Sequence, residues 1–293
     1  MIKIVMLVIL FSGTSVFAQQ SQPPSQTSKA DTLRRDTLNV WVPTMITSLN
    51  ISQIAFSNWT QGGSNSLSWT VMVKAGYDFK GEKWSLQNHG SLQYGRTKLG
   101  NQGSITTDNE ILLENVLTYN IGWVTDPFFS NTIITTLAEG YSYKGSLPLP
   151  IANFFDPGYI TQSLGFAYNK ISNFTTRLGV AAQEVFTNKY RQYTDDPATP
   201  NKVEAFKLDA GMESVSQAQM QVAENLLFTT GLRLFTRFKS LDIWDVRWDN
   251  VIVAKVNSFI NVNFNYQLVY QKDQSPTTQM KEGLQLGVTY TIF

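Results

Sequence analysis

The feature that most constrains this chain is an alternation of apolar and polar residues with a period of two. It is clearest near the end of the chain, where Ile260, Val262, Phe264, Tyr266, Leu268 and Tyr270 alternate with Asn261, Asn263, Asn265 and Gln267. Because successive side chains of a β-strand point to opposite faces, this segment has one apolar face and one amide-lined face. Helical spacing does not produce this pattern. The chain is therefore predicted to be all-β.

The alternation recurs from about Asn39 to Phe293 and predicts twelve strands. Their expected spans are 44–56, 66–79, 83–98, 105–120, 129–143, 158–169, 173–186, 203–216, 223–238, 244–255, 259–271 and 281–293. An even number of strands returns both ends of the chain to one side of a membrane, as in bacterial outer-membrane barrels.

The length of the strands favours a membrane barrel over a soluble fold. Strands of a soluble sandwich are commonly about 5 to 6 residues long, whereas about 9 to 11 tilted residues cross a bilayer. Charged residues make up 15% of the chain, against about 25% in ordinary soluble domains. Because hydrocarbon cannot bond backbone groups, a membrane sheet must close on itself. We therefore predict a closed antiparallel transmembrane β-barrel in the outer membrane of a Gram-negative bacterium, ahead of a soluble sandwich or a periplasmic lipocalin-like barrel.

The connections between the expected strands alternate in length. The long ones are predicted to face the cell exterior and include 57–65, 144–157, 188–202 and 272–280, and the tight ones include 80–82, 169–171 and 256–258. Three connections depart from this trend, since 122–128 and 217–222 are long for inner turns and 239–242 is short for an outer loop. Aromatic residues near strand ends are expected to form interface girdles, among them Trp41, Trp84, Tyr119 and Tyr159.

The N-terminal segment resembles an export signal. Lys3 precedes an apolar run, Ile4–Phe11, and the small residues Val16 and Ala18 precede an expected cut at Gln19. The run is too short to span a bilayer core of about 30 Å. The predicted organisation is a signal peptide over 1–18, a disordered periplasmic tail over 19–38, and the barrel over 39–293. The chain has no cysteine, so disulfides and thiolate metal sites are excluded.

One motif resembles a domain family of unknown function that comprises predicted outer-membrane β-barrels of Gram-negative bacteria. The motif runs Ser57-Asn58-Trp59-Thr60-Gln61-Gly62-Gly63-Ser64-Asn65-Ser66, similar to a family pattern of Ser-Asn-Trp-x-x-Gly-Gly-x-Asn-Ser. The resemblance implies a transport-like or structural barrel and supplies no catalytic residues. From the residues alone, Gly62 and Gly63 permit a tight reversal, with Trp59 as an anchor. The alternative is that Trp59 and Asn65 contact a ligand.

The sharpest candidate for catalysis is the pair His89 and Ser91. Two residues apart on a strand, they share a face, as in the His-x-Ser pair of an outer-membrane phospholipase fold. They are in register with the polar residues Gln87 and Gln93, whereas a phospholipase needs its nucleophile toward lipid. We therefore expect a lumen residue at His89 and no enzyme activity, and we expect no cofactor. His89 is the only histidine, which excludes a multi-histidine zinc site.

The polar face is predicted to line a lumen with charges of both signs. The candidate lumen residues are Lys74, His89, Arg177, Lys207, Arg233, Arg237, Arg247, Asp249, Asn261, Asn263 and Asn265, with Asp78, Asp209 and Glu213 among the acids. Mixed charges either fill a narrow lumen or line a small pore, and a barrel of about twelve strands lies between the two cases.

Three functions follow as hypotheses. The preferred one is a passive channel or small-solute transporter; the second is a structural or assembly barrel with an occluded lumen that presents loops 144–157 and 188–202 to a partner; the third is a lipid-modifying enzyme. Expected partners are outer-membrane lipid, a small solute, and the barrel-insertion machinery, which reads a terminal aromatic such as Phe293. The formal net charge of +1 gives no reason to expect nucleic-acid binding.

Overall fold

The computed structural model describes residues 39–58, 60, 63–143, 147–196, 199–272 and 275–292. The predicted export signal and tail, the motif residues Trp59 and Gly62, and the terminal Phe293 lie outside the described residues.

Fourteen strands are present in the described part of the chain. They are β1 (Val40–Ile54), β2 (Ser66–Lys80), β3 (Trp84–Leu99), β4 (Ile105–Tyr119), β5 (Asp126–Thr135), β6 (Gly140–Ser142), β7 (Leu149–Ala152), β8 (Gly158–Ile171), β9 (Phe174–Phe186), β10 (Phe206–Ala223), β11 (Leu226–Arg237), β12 (Ser240–Lys255), β13 (Ile260–Tyr270) and β14 (Gln279–Thr291). Twelve of them form a closed barrel in chain order, while β6 and β7 pair separately as a hairpin. Antiparallel pairing of β1 with β14 closes the barrel. The predicted closed barrel of about twelve strands is confirmed.

Three predicted boundaries are wrong. The expected strand 129–143 leaves the barrel after Thr135, and Gly140–Ser142 pairs instead with Leu149–Ala152. The expected inner connection 217–222 belongs to β10, because Gln217–Gln221 continue to pair with β11 and their side chains continue the alternation. The expected outer loop 239–242 is a tight turn, since β12 begins at Ser240.

The two ends of the barrel differ in their connections. One end carries the long segments 55–65, 136–157, 187–205 and 271–278, and the other carries the short turns 81–83, 172–173, 224–225 and 256–259. Outer-membrane barrels have long extracellular loops and short periplasmic turns. The end with the long segments is therefore called the outer end, and the opposite end the inner end.

The distribution of apolar side chains is the reverse of that in a soluble domain. Nine hydrophobic residues but twenty-two polar or charged residues are buried in the described part of the chain. Large apolar side chains of the strands, among them Leu164, Val180, Leu284 and Leu286, are more than half exposed on the outside. Such a wall is stable only against acyl chains, which makes the chain an outer-membrane β-barrel.

Within the described residues, no helix is long and apolar enough to cross a membrane.

Aromatic side chains gather on the outward face near the inner end. Trp41 stacks on Tyr77 with ring centroids 4.6 Å apart, and Trp84 contacts Tyr119 at 4.4 Å. These pairs suit the interfacial region, where aromatic rings are enriched. Tyr159 was expected in an interface girdle, but its side chain lines the cavity inside the barrel.

Candidate functional site in the barrel lumen

Four charged side chains meet across the middle of the lumen. Glu114 of β4 pairs with Arg177 of β9 and accepts a hydrogen bond of 2.9 Å from Arg233 Nη2 of β11. Arg233 Nη1 in turn lies 3.2 Å from Glu213 Oε1 of β10. Strand β4 is adjacent to neither β9 nor β11 in the barrel, so these ion pairs cross the interior. Glu114, Arg177, Arg233 and Glu213 are called the central network.

The central network covers a layer of hydroxyl groups on β5 and β8. Ser163 Oγ donates to Glu213 at 2.8 Å and lies 2.8 Å from Ser130 Oγ, and Arg233 donates to Thr132 Oγ1 at 3.2 Å. All three hydroxyl residues are fully buried. The half of the lumen beside β5 and β8 is therefore filled with paired polar groups, as buried charges require.

An apolar cluster completes this filled half. Phe128, Val116 and Ala167 pack together inside the barrel, and the Arg177 guanidinium lies 6.0 Å from the centroid of the Phe128 ring. A cation over an aromatic face is stabilised by the ring quadrupole. Arg177 is thus held by a carboxylate on one side and a ring on the other.

A second charged cluster lies toward the outer end of β10, β11 and β12. Asp209 accepts from Arg237 Nε at 2.8 Å, and the ammonium groups of Lys239 and Lys207 lie 2.5 Å and 3.5 Å from its carboxylate. Arg237 Nη2 also lies 3.0 Å from Asp245 Oδ2. This cluster braces the outer rim of the barrel.

The opposite half of the lumen holds a looser group. Arg247 makes a bidentate contact with Glu110, at 2.7 and 2.9 Å, and its Nε donates to Asp249 at 2.8 Å. Gln267 also donates to Asp249 at 2.6 Å. Lys74 interacts electrostatically with Asp249. Lys74 forms no ion pair with any carboxylate of the described residues.

Asparagines on β1 and β13 form a tight amide cluster on the inner wall. Asn263 Nδ2 donates to Asn50 and to Asn261, and Asn261 donates to Thr289, each at 2.7 Å. The cluster packs over Gly287, where any Cβ atom would collide with these amides. Asn265 lies two residues further along the same face.

One side of the lumen remains accessible to water. His89, Asp249 and Lys281 face inward, yet their side chains are 45%, 41% and 51% exposed. With the exposed inward residues Gln87, Lys74 and Gln279, they form a line from the inner to the outer end. These six residues are called the wet half. Its outer part opens into a cavity of about 410 Å³, lined in part by Glu110, Tyr159, Arg233, Arg247 and Gln267.

The structure separates the candidate catalytic pair. His89 Nε2 lies 3.0 Å from Asp78 Oδ1. No hydrogen bond joins it to Ser91 among the described side chains. Both residues lie on the inward face of β3, away from lipid.

No group of three or more potential metal ligands occurs in the described part of the chain.

The predicted lumen residues fall into separate groups. Arg177 and Arg233 meet in the central network, and Lys207 and Arg237 meet at the outer rim. Lys74, Arg247 and Asp249 lie in the half of the lumen opposite the central network. Asn261 and Asn263 lie on the inner wall. Sequence reasoning missed Glu110 and Glu114, which organise two of these groups. Their alternation with Ile111, Leu113 and Asn115 on a predicted strand was a sufficient signal.

The described part of the motif loop has a structural role. Asn65 Oδ1 accepts a hydrogen bond of 2.7 Å from the Phe56 amide, and the Asn65 carbonyl accepts one of 2.6 Å from the Gly100 amide. Gly63 has a φ of 122° and lies against the Phe56 ring, which leaves no room for a side chain. Gly63 and Asn65 therefore shape the turn between β1 and β2.

Two long outer segments are joined by Asp156. Its carboxylate accepts from the backbone amides of Asn188 at 2.9 Å, Lys189 at 2.7 Å and Tyr190 at 3.4 Å. Further along, the Thr199 hydroxyl donates to Glu204 at 2.8 Å and lowers the pKa of that carboxyl. These bonds order the segments that rim the outer mouth.

We expect Asp156→Ala to release the segment 187–196 from the barrel rim. Each hydrogen bond to a charged group contributes about 1.5 to 3 kcal/mol, and the variant leaves three amides without an acceptor. Hydrogen exchange at residues 188–190 should accelerate, with faster proteolysis nearby and an unchanged barrel melting temperature. Asp195→Ala, at an exposed position, is the matched control. Unchanged exchange in Asp156→Ala would show that other contacts hold the segment.

The family model described as "Protein of unknown function (DUF3078)" matches residues 51–141, which confirms the resemblance to a domain family of unknown function over that stretch. No curated protein matches the chain by sequence.

Solved structures similar to this chain include three bacterial barrels. The translocator domain of the autotransporter NalP from Neisseria meningitidis is 12% identical, with a TM-score of 0.36, over 91% of this chain and 98% of that chain. An outer membrane channel from Pseudomonas putida F1 is 10% identical, with a TM-score of 0.39, over 87% and 95%. The KdgM porin is 8% identical, with a TM-score of 0.32, over 85% and 99%.

Proposed function

We propose that this barrel is a passive outer-membrane channel for small polar solutes, which pass along the wet half of the lumen. The observation that carries the proposal is the exposure of inward-facing side chains at the level of the central network. His89 is directly paired in register with Glu114 of the central network, yet its side chain is 45% exposed. In a filled lumen, side chains at this depth would be buried as Glu114 and Glu213 are, at 7% and 3%.

The central network sets the size of solute that the passage admits. It fills the side of the lumen beside β5 and β8, so only the side bounded by β12 to β14 and β1 to β3 is left for solvent. A barrel of twelve strands lies between closed small barrels and wide porins, and half of such a lumen suits small molecules rather than folded polypeptides.

The charges along the passage favour weak ion preference. Arg247 is shared by Glu110 and Asp249, Lys281 pairs with Asp108, and His89 pairs with Asp78. Lys74 adds one basic group that interacts with Asp249. Because charges of both signs alternate over the passage, no strong field of a single sign selects one class of ion.

The test is single-channel recording with one engineered thiol. Since the chain has no cysteine, His89→Cys places a unique reactive group in the wet half. We expect the purified barrel to conduct in planar bilayers, and a bulky charged thiol reagent to reduce the current of His89→Cys. Leu92→Cys, on the outward face of the same strand, is the matched control and should keep its current. A folded barrel that carries no current would refute the channel.

A second candidate function rests on the outer segments and the central network. The bonds of Asp156 to residues 188–190 hold two long segments together at the outer mouth, and a fixed surface of this kind suits a structural barrel that binds a partner. The test is to replace the described parts of these segments with short Gly-Ser turns. Partner capture that survives the replacement would exclude this function.

A further inference from the structure

The outward wall of the barrel carries an unbroken row of amide side chains. Asn88 of β3 is paired in register with Asn115 of β4, Asn115 with Asn131 of β5, and Asn131 with Gln162 of β8. Directly paired residues of adjacent strands share a face and lie within side-chain reach. These four residues are called the amide row.

The amide row crosses the middle of the lipid-facing wall. Asn88 lies four residues from the inner end of β3 at Trp84, and Gln162 lies four residues from the outer end of β8 at Gly158. The row therefore climbs obliquely from the inner side to the outer side. Its central members are flanked on the same face by apolar residues, namely Leu113, Leu117, Phe129 and Ile133. The amides are thus embedded in the part of the wall that meets hydrocarbon.

The hydrogen bonds within the barrel leave much of the row unpaired. Asn88 Nδ2 donates to the Tyr77 carbonyl at 2.7 Å, and Asn115 Nδ2 donates to Asn88 Oδ1 at 2.8 Å. The side chains of Asn131 and Gln162 make no hydrogen bond to any described residue. Asn115 is also exposed, and its Oδ1 accepts nothing from the described atoms. Acyl chains offer no partner, so amides left in this position are unfavourable.

Three outward-facing hydroxyl groups on β9, β10 and β11 have hydrogen-bond partners within the barrel, unlike the unpaired amides of the amide row. Thr176 and Ser216 lie 2.8 Å apart and bond to each other, and Thr230 Oγ1 donates to Asn250 Oδ1 at 2.8 Å, which leaves Asn250 Nδ2 as an isolated unpaired group within the described residues. On β13, β14 and β1 the outward positions at middle height are apolar, including Phe264, Leu286, Val288 and Leu49. Free amide groups in a continuous line are therefore a property of the β3–β4–β5–β8 face.

We propose that the amide row is the contact of this barrel with a second copy of itself. An amide group carries both donors and an acceptor, so the row is complementary to its own image, as an isologous two-fold interface requires. With the two-fold axis along the membrane normal, the partner's row slopes the opposite way and the two rows cross. They cross between Asn115 and Asn131, where the unpaired groups of each copy meet those of the other. The curvature of the barrels confines contact to this region.

The absence of cysteine allows a direct test by crosslinking. We expect Asn115→Cys or Asn131→Cys to form a disulfide-linked dimer on mild oxidation in bilayers. Leu286→Cys, at a similar height on the opposite wall, should remain monomeric. Absence of a dimer from both asparagine variants, or equal crosslinking of Leu286→Cys, would overturn the proposal.

A second experiment measures association without a crosslink. In lipid bilayers, single-molecule photobleaching should count two copies per spot for the unmodified chain and one for Asn115→Leu/Asn131→Leu. The double variant is first shown to fold by its heat-modifiable gel mobility. An unmodified chain that is monomeric, or a double variant that stays dimeric, contradicts the interface. Because the row lies outside the lumen, current per barrel should stay the same, so this result is independent of the channel proposal.

Discussion

Glu114→Ala is expected to lower the free energy of unfolding of the barrel by about 3–5 kcal/mol, the usual cost of breaking a buried ion pair from one side. Glu114 is the shared acceptor of Arg177 and Arg233, whose side chains are only 11% and 17% exposed. Without this carboxylate, Arg177 loses its one ion pair in the described part of the chain, and Arg233 keeps one ion pair there, with Glu213. A guanidinium group cannot neutralise itself by losing a proton, so its charge remains buried without compensation.

The measurement is urea unfolding in detergent micelles or bilayers, followed by tryptophan fluorescence and by gel mobility. Asp249→Ala is the matched control, because its carboxylate is 41% exposed and Arg247 keeps its bidentate contact with Glu110. We expect a loss of about 1 kcal/mol or less, as for solvent-exposed pairs. Equal losses in the two variants would mean that the central network is as well hydrated as the wet half.

Removing the whole central network is expected to widen the passage. The variant Glu114→Ala/Arg177→Ala/Glu213→Ala/Arg233→Ala deletes two positive and two negative charges, so no unpaired member of the network is left behind. The volume that these side chains fill beside β5 and β8 becomes open to water. We expect single-channel conductance to rise about twofold or more, because lumen width is set by how side chains fill a barrel of given strand number.

The matched control replaces the same four residues with glutamine. It removes the same charges but keeps most of the side-chain volume, so its conductance should stay near that of the unmodified barrel. An alanine variant that is folded and conducts no better would place the narrowest point of the passage elsewhere. An equal rise in both variants would show that charge, rather than volume, limits the current.

The fold was largely predictable because the rule behind it is local. Alternation decides which face of each strand meets lipid, and it located the twelve barrel strands with few errors. One error occurs where local pattern and long-range pairing disagree. Residues 136–143 continue an acceptable strand pattern, but the backbone turns away after Thr135 and Gly140–Ser142 pair with Leu149–Ala152. At 217–222 the alternation itself continues, as Gln-Ala-Gln-Met-Gln-Val, and β10 pairs with β11 across Gln217–Gln221, so the end of the strand was placed too early.

The site was predictable only in part, since partners across the lumen depend on the stagger of the closed sheet. Alternation placed Arg177 and Arg233 on the inward face. It could not show that both reach Glu114, from 63 and 119 residues away along the chain. Nor could it show that paired groups fill one side of the lumen while the side holding Lys74 stays wet.

The ion pairs that span the interior also have a mechanical consequence. A thin cylinder yields most easily by flattening into an ellipse, and the surrounding bilayer squeezes it unevenly. Here ion pairs connect Glu114 on one wall to Arg177 and Arg233 on another wall, across the interior of the barrel. Compression along that line acts on these ion pairs before it strains the hydrogen bonds between strands, so the barrel keeps its cross-section while lipids move around it.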